Sequence, residues 1–158
     1  MLYLPLVLEI DNLRLISWWV DASFAIHPDC KGHTGGMMSM GKGTILEKSR
    51  KQKINAKSST EAEIIGVDDI STQIIWGNYS IAAQGYEIDE TEVFQDNISS
   101  SYLLVNGQQS NSKRTKHMNV RYFFMKDCIK NREMRIKHCP TKQMLVDPFT
   151  KPIQGSEF

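Results

Sequence analysis

Cysteine is scarce in this chain of 158 residues, which contains only three, Cys30, Cys128 and Cys139. An odd number of cysteines at these spacings does not fit the disulfide framework of a small secreted protein. Long apolar runs are missing as well, because the apolar start of the chain is interrupted by Pro5 and is too short to span a bilayer. The sequence therefore predicts a soluble intracellular domain with no membrane partner.

Excess charge of either sign is also lacking, since the formal net charge is only +1. Such a protein has no overall field that would attract a nucleic acid, so any attraction must be local. Two basic stretches could supply it, one at 48–53 and one at 112–117. For the first stretch, a solvated charged surface is an equally good interpretation.

The apolar pattern that is present indicates a single α/β domain. A run rich in β-branched and aromatic residues predicts a strand at 13–24, and further strands are predicted at 37–40 and 44–47, around the turn "GKG", and at 91–96 and 133–139. The two runs at 37–40 and 44–47 form a predicted hairpin, the segment 27–36 a loop, and the segment 48–59 a polar connection. Helices are predicted at 60–83, capped by Ser59 or Thr60, at 97–107, at 115–131, and at the end of the chain, broken by Pro152. This order predicts a mixed sheet with helices packed on both faces.

The first long helix contains two glutamates two residues apart, Glu61 and Glu63. At about 100° per residue, Glu63 falls on the stripe of Val67 and Ile70 that faces the sheet, whereas Glu61 faces water. A carboxylate on a buried stripe is costly unless it is paired or binds a metal. Glu63 is therefore a candidate functional residue, although pairing with a lysine at the helix end explains it equally well.

Other carboxylates support the functional interpretation of Glu63. Asp21 interrupts an apolar strand, Asp96 ends another strand, and Asp147 opens the last segment. Each alone is more simply explained as a turn former or a cap. Together they suggest a cluster that needs divalent cations, because bare carboxylates repel one another.

A zinc site at His27, Cys30 and His33 is a weaker hypothesis. Structural zinc sites use four ligands in paired motifs, and no second pair follows in the sequence. A solvent-exposed loop is the expected structure.

Motifs along nearly the whole chain, from about Leu13 to Pro152, resemble the ribonuclease H domain of copia-type LTR retrotransposon polyproteins. The motifs occur in the family's order, as the runs "WVDASFA", "KQKINAKSSTEAEIIGV", "QDN", "SKRTKHMNVRYFF", "CPTKQMLVD" and "FTKP". The resemblance implies a ribonuclease H-like mixed sheet of five strands. It also implies four catalytic, metal-binding acids, Asp21, Glu63, Asp96 and Asp147.

The resemblance further implies cleavage of the RNA strand of an RNA–DNA hybrid by two Mg²⁺ ions, for which Mn²⁺ could substitute. Asp21 would bridge both ions, Glu63 and Asp96 would hold one, and Asp147 the other. The family's "RTKH" motif implies nucleic-acid contacts by Lys113, Arg114, Lys116 and His117. The implied partners are the hybrid and a reverse transcriptase domain, in a cytoplasmic virus-like particle or the nucleus.

Two departures from the family pattern favour an alternative, a catalytically weak remnant that keeps the fold and binds nucleic acid. Pro148 follows the fourth acid, which suits Asp147 as an N-cap and would engage its carboxylate in capping. The chain is also too short for the other polyprotein parts and is expected to be a detached C-terminal piece. Its expected organisation is a lead-in at 1–14, the ribonuclease H-like domain at 15–153 and a tail at 154–158.

Overall fold

The computed structural model describes residues 7–106 and 116–151, and its main feature is a mixed five-stranded sheet. The strands are β1 (Glu9–Ile10), β2 (Leu15–Ser23), β3 (His33–Ser39), β4 (Gly41–Lys42), β5 (Leu46–Lys51), β6 (Glu90–Gln95) and β7 (Arg135–His138). The sheet order is β5-β3-β2-β6-β7, while β1 pairs only with β4. The β2, β3 and β5 strands are antiparallel, and β6 and β7 run parallel to β2. The predicted α/β class with a mixed five-stranded sheet is confirmed.

In the described part of the chain, three α-helices accompany the sheet, α1 (Ser59–Ala83), α2 (Ile98–Asn106) and α3 (Lys116–Lys130). Within the described ranges, none of the helices combines the length and the apolar character that a membrane span needs.

The terminal α-helix predicted from the sequence is wrong. The chain instead forms two short 3₁₀ helices, Thr141–Gln143 and Asp147–Phe149. Pro148 and Pro152 have no backbone N–H, so a continuous α-helical hydrogen-bond ladder cannot run through this segment.

The two strands of the predicted hairpin, β3 and β5, do pair antiparallel, but both are longer than expected. Residues 33–36, predicted as a loop, belong to β3, and residues 48–51, predicted as a polar connection, belong to β5. β5 is an edge strand on which half-buried and exposed residues alternate. A charged sequence is compatible with an edge strand because one row of its side chains stays in water.

The N-terminus of α1 is capped one residue earlier than predicted. The Ser58 hydroxyl accepts a hydrogen bond from the Glu61 backbone N–H at 3.1 Å. The Glu61 carboxylate in turn accepts a hydrogen bond from the Lys57 backbone N–H at 2.8 Å. This arrangement resembles a capping box, except that Glu61 accepts from Lys57, the residue before the cap Ser58, so Glu61 has a structural role at the helix start.

The hydrophobic core lies on both faces of the sheet. All three α-helices contribute to the larger cluster, which includes Ile16 and Trp18 of β2 and Ile70 and Ile74 of α1. The opposite face carries a smaller cluster of Met37, Cys139, Met144 and Val146, against which Trp19, Phe94 and Phe149 pack. The segment with the two 3₁₀ helices therefore covers the face that the α-helices leave open.

Close approach of this segment to the sheet depends on Gly35 in β3. A Cβ atom at Gly35 would lie 2.7 Å from Thr150 Cγ2 and 3.0 Å from Phe149 Cβ. Both distances are too short for carbon atoms in ordinary contact. The bare backbone of Gly35 thus lets the 3₁₀ helix Asp147–Phe149 pack directly on β3.

We expect Gly35→Ala to lower the free energy of unfolding by about 1–3 kcal/mol, the usual cost of overpacking. Urea unfolding followed by circular dichroism measures it. Gly77→Ala is the matched control, because a Cβ there meets its nearest atom, Met38 Sδ, at 3.8 Å. That variant should gain up to about 1 kcal/mol from helix propensity. Equal stability of the Gly35→Ala variant and the wild type would contradict the packing argument.

Candidate active site

Two acids come from neighbouring parallel strands. Trp19 of β2 is paired in register with Phe94 of β6, so Asp21 and Asp96, each two residues further on, project from the same face of the sheet. Asp21 is 2% exposed, and Asp96 follows the last residue of β6. Parallel strands present their carboxyl ends at one edge, where open α/β sheets place their sites.

Glu63 reaches the same edge from the first turns of α1. Its side chain is 6% exposed, which confirms the helix-face argument that separated it from Glu61. Its carboxylate accepts a hydrogen bond from the backbone of Ala22. The residue therefore lies over the end of β2, beside Asp21.

Asp21, Glu63 and Asp96 form an acidic triad, defined by carboxylate oxygens that lie within 4.8 Å of one another. At an effective dielectric constant of about 20, two unit charges at that distance repel by roughly 3 kcal/mol. Burial, followed by repulsion from Asp21 and Asp96, raises the pKa of Glu63 to about 9. Burial also raises the pKa of Asp21. In the absence of a cation, the triad therefore holds a proton near neutral pH.

Neutral side chains fix the orientation of these carboxylates. The Thr141 hydroxyl donates to Asp96 Oδ2 at 2.9 Å, and the Thr150 hydroxyl donates to Asp21 Oδ2. Gln95, which is completely buried, donates from Nε2 to Glu63, whose carboxylate Oε2 lies at 3.5 Å and whose backbone carbonyl oxygen lies at 3.3 Å. Its own Oε1 accepts from the Ser100 hydroxyl at 2.7 Å.

Asp147, the fourth predicted acid, is not a member of the triad. Its Oδ1 lies 3.1 Å from Lys151 Nζ, and the same ammonium lies 3.5 Å from Asp21 Oδ2. The expectation that Asp147 is an N-cap is wrong, because Val146 is the cap residue and Asp147 is the first residue of the 3₁₀ helix. The Asp147 carboxylate is engaged in an ion pair rather than in capping.

The predicted nucleic-acid-binding residues lie mostly beyond what the structure describes. Lys113 and Arg114 are outside the described residues, and for Lys116 and His117 only the backbone at the start of α3 is described. Within the other basic stretch, two cations are already paired, Arg50 with Asp69 at 2.6 Å and Lys51 with Asp29 at 2.7 Å.

The histidines of the zinc hypothesis contact each other rather than Cys30. His27 Nε2 lies 3.0 Å from His33 Nδ1, and His33 Nε2 lies 2.8 Å from the Ser49 hydroxyl. Among the described residues, the acidic triad is the one group of His, Cys, Asp or Glu side chains close enough to share an ion.

The triad fits a divalent cation. Carboxylate oxygens are the ligands that hard cations such as Mg²⁺ prefer, and a cation would offset the repulsion that raises the pKa of Glu63. Thr141, Thr150 and Lys151 were not predicted from the sequence as parts of this site. The "FTKP" run pointed to the last two residues without indicating their contacts.

Curated relatives of this chain are polyproteins of plant transposons. It is 29% identical over 153 residues to the Retrovirus-related Pol polyprotein from transposon RE1 of Arabidopsis thaliana, a match that covers 96% of this chain and 10% of that polyprotein. It is 28% identical over 145 residues to the one from transposon TNT 1-94 of Nicotiana tabacum, covering 91% of this chain and 11% of the polyprotein. The chain thus spans about a tenth of these relatives. No family model matches it.

Solved structures decide the fold. LC11-RNase H1 in complex with an RNA/DNA hybrid has a TM-score of 0.60 and 14% identity, over 85% of this chain and 92% of that one. This is the ribonuclease H fold. The ribonuclease H-like domain also matches Prototype Foamy Virus Protease-Reverse Transcriptase, with a TM-score of 0.56 and 16% identity, over 84% of this chain and 19% of that one. The resemblance to retrotransposon polyproteins is confirmed by the transposon relatives; the copia type stays a prediction.

In EDTA, we expect the ribonuclease H-like domain to lose thermal stability as the pH rises from about 4.5 to about 9. The pKa of Glu63 is raised from 4.5 to about 9 by folding, so its proton stabilises the folded state below 4.5 and this contribution disappears as the pH rises through 9. Melting temperatures measured across this range should decline less for Glu63→Gln than for the wild type.

Glu61→Gln is the matched control for this experiment. It changes a carboxylate two residues away that lies outside the triad and belongs to the helix cap, so the decline caused by Glu63 should persist in this variant. A Glu63→Gln variant that declines as steeply as the wild type would contradict the assignment of the proton to Glu63.

Proposed function

We propose that this domain hydrolyses the RNA strand of RNA–DNA hybrids during the reverse transcription of a retrotransposon, in a reaction that depends on Mg²⁺. The observation that carries the proposal is the acidic triad, three carboxylates held together at one sheet edge despite their repulsion. Burial of this kind is costly unless the site binds a cation. The names of the relatives point the same way, toward Pol polyproteins and an RNase H1 in complex with an RNA/DNA hybrid.

In the proposed reaction, Asp21, Glu63 and Asp96 would hold one divalent ion, and Asp147, together with Asp21, would hold the other. Bound divalent ions of this kind activate water and stabilise the leaving oxygen of a phosphodiester. Asp21 is suited to the central position because it faces both Glu63, within the triad, and the turn that carries Asp147. Mn²⁺ can substitute, because it takes the same oxygen ligands.

Hybrid binding is proposed to involve the basic residues of the "RTKH" motif. Lys113, Arg114, Lys116 and His117 would contact phosphates. Preference for RNA would come from contacts to its 2′-hydroxyl groups. The proposed partner in the parent polyprotein is its reverse transcriptase domain, inside a cytoplasmic virus-like particle or the nucleus.

One observation favours a second candidate, a weakly active remnant that binds hybrid. Asp147 is paired with Lys151 and stands outside the triad. A site with three carboxylates available could bind one cation and still lack the second that rapid cleavage requires.

Cleavage of a labelled RNA–DNA hybrid tests both candidates. With Mg²⁺, we expect the wild type to cut the RNA strand, and we expect EDTA to abolish cutting. Glu63→Gln should lower the cleavage rate by more than about 100-fold. Loss of a residue that only supports a metal ligand usually costs less than this, and Glu63 is proposed to be a ligand itself. Denaturing gels of the end-labelled RNA report the rate.

Glu61→Gln is again the control and should keep cleaving, since it changes only the helix cap. Hybrid binding is measured on the same samples by fluorescence anisotropy. Folded wild type that binds hybrid without cutting it would favour the remnant, and cutting that survives in both EDTA and Glu63→Gln would refute the proposed mechanism.

A further inference from the structure

The last turn of the described chain is attached to the triad through two consecutive residues, Thr150 and Lys151. Thr150 follows the 3₁₀ helix Asp147–Phe149, and both its backbone N–H and that of Lys151 donate to the Asp147 carbonyl oxygen at 3.0 Å. Each of the two side chains then turns back toward Asp21. Thr150 and Lys151 of the "FTKP" run therefore contact Asp21, although the predicted set of four acids gives these two residues no role.

The Thr150 side chain is fixed at both of its branches. Its hydroxyl donates to Asp21 Oδ2, and both residues are buried, at 4% and 2% exposure. Its Cγ2 methyl lies over the bare backbone of Gly35, 2.7 Å from where a Cβ would stand. A β-branched side chain has restricted χ1 freedom, and the same hydroxyl also lies 3.2 Å from the Asp147 carbonyl oxygen, so the Thr150 Oγ1 is placed between Asp21 and the last turn.

Lys151 makes the second connection, through charge. Its ammonium lies 3.5 Å from Asp21 Oδ2 and 3.1 Å from Asp147 Oδ1. The ammonium therefore lies between Asp21 of β2 and Asp147 of the last turn. This is where a cation shared by the two carboxylates would lie, and the lysine side chain is half-exposed and able to swing out.

We propose that Thr150 is a positioning residue that fixes Asp21 for metal binding, and that the Lys151 ammonium occupies the place of a shared cation until a divalent ion displaces it. The inference rests on the proposed function, because it concerns the same metal site. It assigns opposite effects to two neighbouring residues: the Thr150 hydroxyl favours metal binding, and the Lys151 charge competes with it.

Titration calorimetry with Mg²⁺ alone tests the Thr150 half on the full chain. Thr150→Val keeps the branched shape and removes the hydroxyl, so it should weaken Mg²⁺ affinity by about 10–100-fold, the usual cost of losing an outer partner of a metal ligand. Thr150→Ser keeps the hydroxyl and should restore affinity to within about threefold of the wild type. Wild-type affinity in Thr150→Val would overturn the proposal.

Lys151→Met tests the other half, the competition by the ammonium, and this half stays testable if Thr150→Val does not fold. This variant removes the charge and keeps the length of a half-exposed side chain. Mg²⁺ affinity should rise by about two- to fivefold, in line with the worth of a partly exposed ion pair. If Lys151→Met binds Mg²⁺ as tightly as the wild type or more weakly, the proposed competition is wrong. A purely structural role for Lys151 predicts a loss of Mg²⁺ affinity in this variant, whereas competition predicts a gain.

The result separates this inference from the proposed function. If the wild type binds Mg²⁺ but does not cleave the hybrid, the proposed function is refuted. The inference is then still tested by the opposite changes in Mg²⁺ affinity that we expect of Thr150→Val and Lys151→Met. Wild type that binds neither Mg²⁺ nor Mn²⁺ would overturn both.

Discussion

The mutual repulsion of Asp21, Glu63 and Asp96 is the constraint on which the rest of the site depends. Three carboxylates within 4.8 Å of one another cost several kcal/mol if all are charged. The protein offsets part of this cost with a proton on Glu63, whose pKa is raised to about 9. It offsets another part with hydrogen bonds from Thr141 and Thr150. A cation would replace the proton, and this exchange links the stability of the domain to its proposed chemistry.

The three acids of the triad are carried by regular secondary structure. β2 and β6 run parallel at the centre of the sheet, so Asp21, which is paired with Gly35 of β3, and Asp96, which directly follows β6, both start from paired backbone. Glu63 is held by α1, which packs on β2 through fully buried residues such as Val67 and Ile70. Asp147 differs, because it lies on a short 3₁₀ helix. Contacts of Gly35, Thr150 and Lys151 attach this helix to the sheet. The fourth acid is thus the one whose position depends on a few side-chain contacts.

Lys151 and the triad also give the two candidate functions a common physical basis. An ammonium between Asp21 and Asp147 satisfies both carboxylates without a metal, which stabilises the resting protein. The same contact opposes recruitment of Asp147 by a divalent ion. An efficient enzyme and a weak remnant then differ in how easily this ammonium is displaced, and not in which acids the chain contains.

The sequence by itself determined the elements that carry strong local patterns. Helical periodicity placed Glu63 on the buried face of α1 and Glu61 on the exposed one, because 3.6-residue geometry does not depend on the rest of the chain. The apolar run around Asp21 likewise indicated a buried strand with a single acid in it. The polar segments 33–36 and 48–51 were misassigned, because their strand structure comes from pairing with β2 and β3 rather than from their own composition.

Only the tertiary structure decided which acids meet and what surrounds them. The contact of Thr150 with Asp21 joins residues 129 positions apart, and no local pattern encodes such a distance. The same holds for Lys151, whose two partners come from β2 and the last turn. In α1, a residue's own sequence neighbours fix its secondary structure and its face. Its charge partners are fixed by the packing of the whole chain, here by the register of β2 with β6 and by the bare backbone of Gly35.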